Sequence, residues 1–113
     1  EALIQNYWAV VAQIQLPYMI NFLSLDMRNI LGNITCPVLA LNGSKDNQVC
    51  HESNLAAIRN GLPANPSNKI EAVEGLNHLF QHCTTGEVTE YRNIEETFAP
   101  EVLAEIVEWV FRL

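Results

Sequence analysis

The sequence predicts an α/β fold in which a small parallel sheet of about two strands is flanked by helices. Three observations carry this expectation. Cys36-Pro-Val-Leu-Ala-Leu-Asn-Gly43 is a short, nearly continuous apolar run with a proline near its start and a glycine at its end, the pattern of a strand buried on both faces. Lys69-Ile-Glu-Ala-Val73 is a second short strand with weaker alternation. One helical pattern separates the two and another follows the second, so the order is strand, helix, strand, helix. That is a β-α-β unit with a closing helix, whose crossover should be right-handed and whose strands should be parallel.

Taken from the start of the chain, Leu3, Ile4, Tyr7, Trp8, Val11 and Ile14 recur at helical spacing with Gln and Asn opposite, which predicts an amphipathic helix stopped near Pro17. A second helical stretch spans about Tyr18 to Leu31 and is broken by Gly32 and Asn33. After the first strand, Ser53 is a candidate cap for a helix whose apolar positions are Leu55, Ile58 and Leu62, ended by Gly61 and Pro63. A long loop follows the second strand, from Glu74 to about Phe98, and loops of this length inside a compact domain are often functional. Pro100 opens the last helix at its first turn. Val102, Leu103, Ile106, Val107 and Val110 share one side of it and should pack on the sheet, with Glu101, Glu105, Glu108 and Arg112 opposite. Trp8 and Trp109 read as core or interface packing.

Composition bounds the function. The chain has 113 residues, 49% hydrophobic and 17% charged, enough for one modest globular domain. A net charge of −7 with only 6 Lys and Arg argues against nucleic acid or an anionic membrane surface as a partner. No apolar run reaches the length of a membrane span, and the opening segment lacks the basic start of a signal peptide. The compartment stays open, because any signal could lie upstream. The 3 cysteines, Cys36, Cys50 and Cys83, read as free thiols. Cys50, His51, His78, His82 and Cys83 are of metal-ligating types, but none of their spacings is a recognisable zinc pattern such as C-x-x-C.

In parallel folds, sites form outside the carboxyl ends of strands. Asp46 follows the first strand by a tight turn, Asn42-Gly-Ser-Lys-Asp46, and His78 follows the second in Gly75-Leu-Asn-His78. Both should emerge on the same rim of the sheet. Alone, Asp46 could simply stabilise a turn and His78 could be a structural loop histidine. Their context adds a resemblance. Cys-Pro-Val-Leu-Ala-Leu-Asn-Gly-Ser-Lys-Asp-Asn-Gln-Val resembles the α/β-hydrolase strand that delivers the triad acid, and Glu-Gly-Leu-Asn-His-Leu-Phe-Gln resembles the segment that delivers the triad histidine. Thr85-Gly-Glu, Glu90-Tyr91 and Ile94-Glu-Glu-Thr97 followed by Pro100 are similar to a bacterial group near the esterases and serine aminopeptidases.

The resemblance covers about Pro17 to the end, and implies that residues 1–32 are a cap-derived helical segment and residues 33–113 the C-terminal β-α-β-α part of an α/β-hydrolase domain. It also implies a serine hydrolase of small-molecule acyl esters, less readily of amides, in which Asp46 orients His78 and His78 acts as general base, with no metal or organic cofactor. Leu76 and Phe80 would pack the histidine loop. His51 and His82 would be surface or loop residues.

The nucleophile is missing. Ser24, Ser44, Ser53 and Ser67 lie in no G-x-S-x-G elbow, and the oxyanion-hole segment is absent. The sequence therefore reads as a fragment of a longer hydrolase, inactive alone. The competing expectation is a non-catalytic module. A two-stranded sheet leaves unpaired edges, so the chain should form a homodimer or higher assembly through strand edges or by exchange of its N-terminal helix.

Overall fold

The computed structural model describes residues 2–113. Five helices and two strands follow in the order α1 (Ala2–Ile14), α2 (Pro17–Ser24), α3 (Arg28–Leu31), β1 (Leu39–Gly43), α4 (His51–Gly61), β2 (Lys69–Val73) and α5 (Pro100–Phe111), with a 3₁₀ turn, Val88–Asn93, before α5. The architecture is mixed α/β: β1 and β2 pair in parallel, in register from Leu39 opposite Lys69 to Gly43 opposite Val73, with helices around them.

β1 starts later than the apolar run that announces it. Pro37 has no N–H to give a ladder, and the Val38 N–H goes to the Asn68 side chain at 2.9 Å. Regular pairing therefore begins at Leu39. The expected helix from Tyr18 to Leu31 is two helices. Asp26 interrupts it by accepting the Arg28 backbone N–H and clasping the Arg28 guanidinium, an aspartate turn that restarts the chain as α3. α4 begins at His51 with Cys50 in the cap position, three residues before the expected Ser53 cap. The Ser53 hydroxyl instead donates to the Cys50 carbonyl.

Strand alternation gives β1 two occupied faces. Leu41 turns towards a core of Leu76, Ala99 and Val102, joined by Val73, Phe80 and Phe98. Asn42 turns towards α4, which packs on both strands and buries Leu55. α3 joins this body through Leu31, which lies against Gly61. The core thus sits under the loop that follows β2. Burying Leu76 there is worth about 1.5–3 kcal/mol, and it has no exposed surface.

Much apolar surface stays outside this core. α1 and α2 bury no residue, and Trp8 is exposed and not part of the core. The expectation that α5 lays its whole apolar side on the sheet fails: Val102 is buried, but Leu103, Ile106, Val107 and Val110 face outward. A two-stranded sheet is too narrow to cover a three-turn helix, so only the edge of α5 nearest the loop core is covered. Trp109 is half-buried and donates through Nε1 to the Ser67 carbonyl at 2.8 Å. With α1 and α2 standing off the body, the radius of gyration is 17.5 Å, against about 13 Å for a compact chain of this length. Among the described residues, no helix is long and apolar enough to cross a membrane.

Where β1 ends, the backbone of the loop after β2 passes so close that a Cβ on Gly43 would overlap the carbonyl oxygens of Leu76 and Asn77. Gly43→Ala should therefore cost about 1–3 kcal/mol in urea unfolding. Its amide shifts should change most at residues 75–79. Wild-type stability in this variant would show that the contact is slack.

Candidate active site

Two turns bring the acid and the histidine together. Beyond β1, the Ser44 N–H donates to the Val73 carbonyl, the Lys45 N–H to the Leu76 carbonyl and the Asp46 N–H to the Gly43 carbonyl, folding the chain back over the end of β2. Beyond β2, Gly75 takes a left-handed conformation (φ +80°) and donates its N–H to the Ser44 hydroxyl at 2.8 Å. The next turn is organised by Asn77, which is fully buried. Its Oδ1 accepts the Leu79 and Gln81 N–H groups, and its Nδ2 donates to Gln81 Oε1. Phe80 is held at φ +56°, a left-handed conformation costly for a residue with a Cβ. Its carbonyl accepts the Ala99 N–H at 2.7 Å, and its ring packs on Phe98 at a centroid distance of 5.4 Å.

His78 projects from this turn. Its Nδ1 lies 2.8 Å from Asp46 Oδ2, so the structure brings the two candidate site residues into direct contact. The Asp46 side chain is only 4% exposed, whereas that of His78 is 38% exposed. The carboxylate is fully engaged: Oδ1 accepts the Gln48 and Val49 N–H groups, both at 2.9 Å, and Oδ2 also accepts Asn42 Nδ2 at 3.0 Å. Burial opposes the charged form. The hydrogen bonds from His78, Val49 and Gln48 outweigh it and hold Asp46 below the usual carboxyl range. An ionised carboxylate only accepts, so His78 Nδ1 carries the proton, and in the neutral imidazole Nε2 offers its lone pair outward. Nε2 has no hydrogen-bond partner among the described residues. A cleft of about 210 Å³ opens beside the pair, lined by Leu41, Asn42, Asp46, Val49, Asn54, His78 and Phe80. Two larger hollows, around Arg59 and Pro63 and around Trp109 and Lys69, share none of these residues.

The two loops are also tied to each other. Lys45 Nζ donates to the Cys83 and Thr84 carbonyls, Asn47 Nδ2 to the Thr85 carbonyl, and Gln48 Nε2 to the Tyr91 hydroxyl. Glu90 closes the segment by accepting the N–H groups of Thr84, Thr85 and Gly86 and the Thr85 hydroxyl. These bonds lower its carboxyl to about 2 from an ordinary 4.5, the Thr85 hydroxyl contributing most.

The remaining ligand-type residues stay apart from the pair. His51 starts α4. His82 is exposed and ion-paired through both ring nitrogens, to Glu96 and Glu101, and the hydrogen bond to Glu96 is the chief cause of its raised pKa. Cys36, Cys50 and Cys83 are free thiols. Among the described residues no group of three His, Cys, Asp or Glu side chains converges as a metal site. The hydroxyls of Ser24, Ser44 and Ser53 are engaged with backbone groups away from His78. Asn42, Asn54 and Asn77 were not singled out by sequence. The one available signal was Asn42 interrupting an apolar strand. Comparison with protein-family models, with curated proteins and with solved structures gives no match.

Because the folded-state pKa of Glu90 lies below its unfolded value, its stabilising contribution is fully present above about pH 4.5 and is lost as pH falls towards about 2. Glu90→Gln should lower the urea midpoint at pH 6, and the gap to wild type should close as the pH approaches 2. A gap independent of pH would remove this role. Asp46 acts with the same sign, its contribution fading as pH falls through its depressed value.

Proposed function

We propose that this chain supplies the acid and the general base of a serine hydrolase of the α/β-hydrolase type, as the C-terminal part of its catalytic domain. The observation that carries the reading is the 2.8 Å contact between His78 Nδ1 and a buried Asp46 carboxylate, with the opposite ring nitrogen unpartnered beside an open cleft. The sequence context of both residues and the parallel pairing of the strands that deliver them support it. In this mechanism His78 Nε2 takes the proton of a serine hydroxyl as its oxygen attacks an acyl carbonyl, and returns that proton to the departing alcohol. Asp46 keeps the proton on Nδ1 and stabilises the imidazolium formed in between. The serine and the oxyanion donors come from residues outside these 113. The substrate class is a small acyl ester, with amides second.

In the longer protein that this reading requires, hydrolysis of a short-chain p-nitrophenyl ester should fall roughly ten-thousand-fold in Asp46→Asn and at least as far in His78→Ala. The 113-residue chain alone should not exceed the buffer rate. Undiminished turnover in His78→Ala rejects the assignment.

A second reading, a self-associating module, is favoured by the apolar residues that α1, α2 and α5 leave exposed, with Leu3 and Phe111 each at 86%. Sedimentation or size-exclusion chromatography at rising concentration should show a dimer or larger species, weakened by Tyr7→Glu with Trp8→Glu. A clean monomer at high concentration excludes this reading.

A further inference from the structure

Asn42 is a buried polar residue in a strand whose other side chains are apolar, and both ends of its amide are engaged. Oδ1 accepts Asn54 Nδ2 from α4 at 2.8 Å, and Nδ2 donates to Asp46 Oδ2 at 3.0 Å, with a longer contact to the Val49 carbonyl at 3.5 Å. The Asp46 carboxylate, which only accepts, decides which end of the Asn42 amide faces it, and Asn54 holds the other end. If the Asn42 amide turned over, its oxygen would oppose the Asp46 carboxylate and its N–H₂ would oppose the N–H₂ of Asn54, two repulsive contacts in a water-poor site. Asn42 therefore presents a donor to the one oxygen that also meets His78. The other Asp46 oxygen is fixed by the Gln48 and Val49 N–H groups. Backbone donors on one oxygen alone leave the carboxylate plane free to tilt about that anchor. A second side-chain donor on Oδ2 removes the tilt and sets the line along which His78 Nδ1 is met.

We infer that Asn42 is a positioning residue for the Asp46–His78 pair and that Asn54 braces the Asn42 amide from α4. Its catalytic meaning rests on the hydrolase reading above, whereas its structural content does not. An asparagine kept merely to fill space would be replaceable by leucine of similar size without consequence at Asp46. A positioning asparagine would not.

The test reads the pair directly, on the 113-residue chain. The Asp46 carboxyl is titrated by ¹³C NMR and the His78 Nδ1 proton is followed in its low-field window, in wild type, Asn42→Leu and Asn54→Ala. In Asn42→Leu, the proton affinity of Asp46 should rise about tenfold, one pH unit, and the His78 Nδ1 proton signal should broaden or vanish through faster exchange. Asn54→Ala lies outside the strand and leaves both groups of the pair intact, so it decides the matter if Asn42→Leu does not fold. It should move both signals in the same sense by a smaller amount. Unchanged Asp46 titration and an unchanged His78 signal in the folded variants overturn the inference. In the longer protein, Asn42→Leu should lower kcat roughly ten- to a hundredfold at constant KM. A wild-type kcat there, with His78→Ala inactive, overturns the positioning role and leaves the hydrolase reading standing. Should His78→Ala stay active, that reading falls, and the NMR signals still judge the positioning.

Discussion

Everything at the rim of this small sheet is arranged around one charge, the Asp46 carboxylate. It is nearly sealed from solvent, which by itself favours the neutral acid, and it remains the anion because donors converge on it from its own turn, from β1 and from the loop after β2. A buried anion is tolerable only when its acceptor capacity is met, so each donor is a constraint on the chain that carries it. The Gln48 and Val49 amides fix the turn after β1, Asn42 ties that turn back to its strand, and His78 ties it to the neighbouring loop. The proton on His78 Nδ1 follows from the charge of its partner and leaves Nε2 as the side available for chemistry.

The loop that carries His78 is built with little regular structure and many polar contacts. Asn77 replaces backbone partners inside the turn, Gly43 lets the turn lie directly on the end of β1, and Phe80 is held in an uncommon backbone conformation. The strain at Phe80 is sustained because its carbonyl receives the N–H of Ala99, the cap residue of α5, and its ring joins the Phe98 cluster. The hydrophobic core is therefore not a remote scaffold. Leu76, Ala99 and Val102 lie under the turn, and their packing and the placement of the imidazole are one structural problem.

Away from this rim the molecule is poorly covered. The sheet has two strands with free outer edges, and α1, α2 and α5 show several apolar side chains to solvent. Both proposed readings take this into account: a larger catalytic domain would cover those faces with further strands, and a self-associating module would cover them with copies of itself. The acid–histidine pair has no such need of a partner for its geometry, since all the groups that orient it come from within the chain.

The sequence alone determined the two parallel strands and the helices that precede, join and follow them, because apolar periodicity, proline and glycine act over a few residues and depend on nothing distant. It also pointed to Asp46 and His78, since parallel strands deliver their following turns to one rim. It left other things open. That Asp26 would split a helix, that α4 would start at His51, and that α5 would cover only its Val102 edge depend on which donors and which surfaces are within reach once the chain is folded. Asn42 and Asn54 belong to different elements, and their contact with each other and with Asp46 is a property of packing that no local pattern encodes. Glu90 looks like any surface carboxylate until the turn from Thr84 to Gly86 directs three N–H groups at it. Local sequence sets what each segment can become. Only the tertiary structure decides which polar groups meet, because hydrogen bonds between distant segments exist only where the backbone has already been brought within about 3 Å.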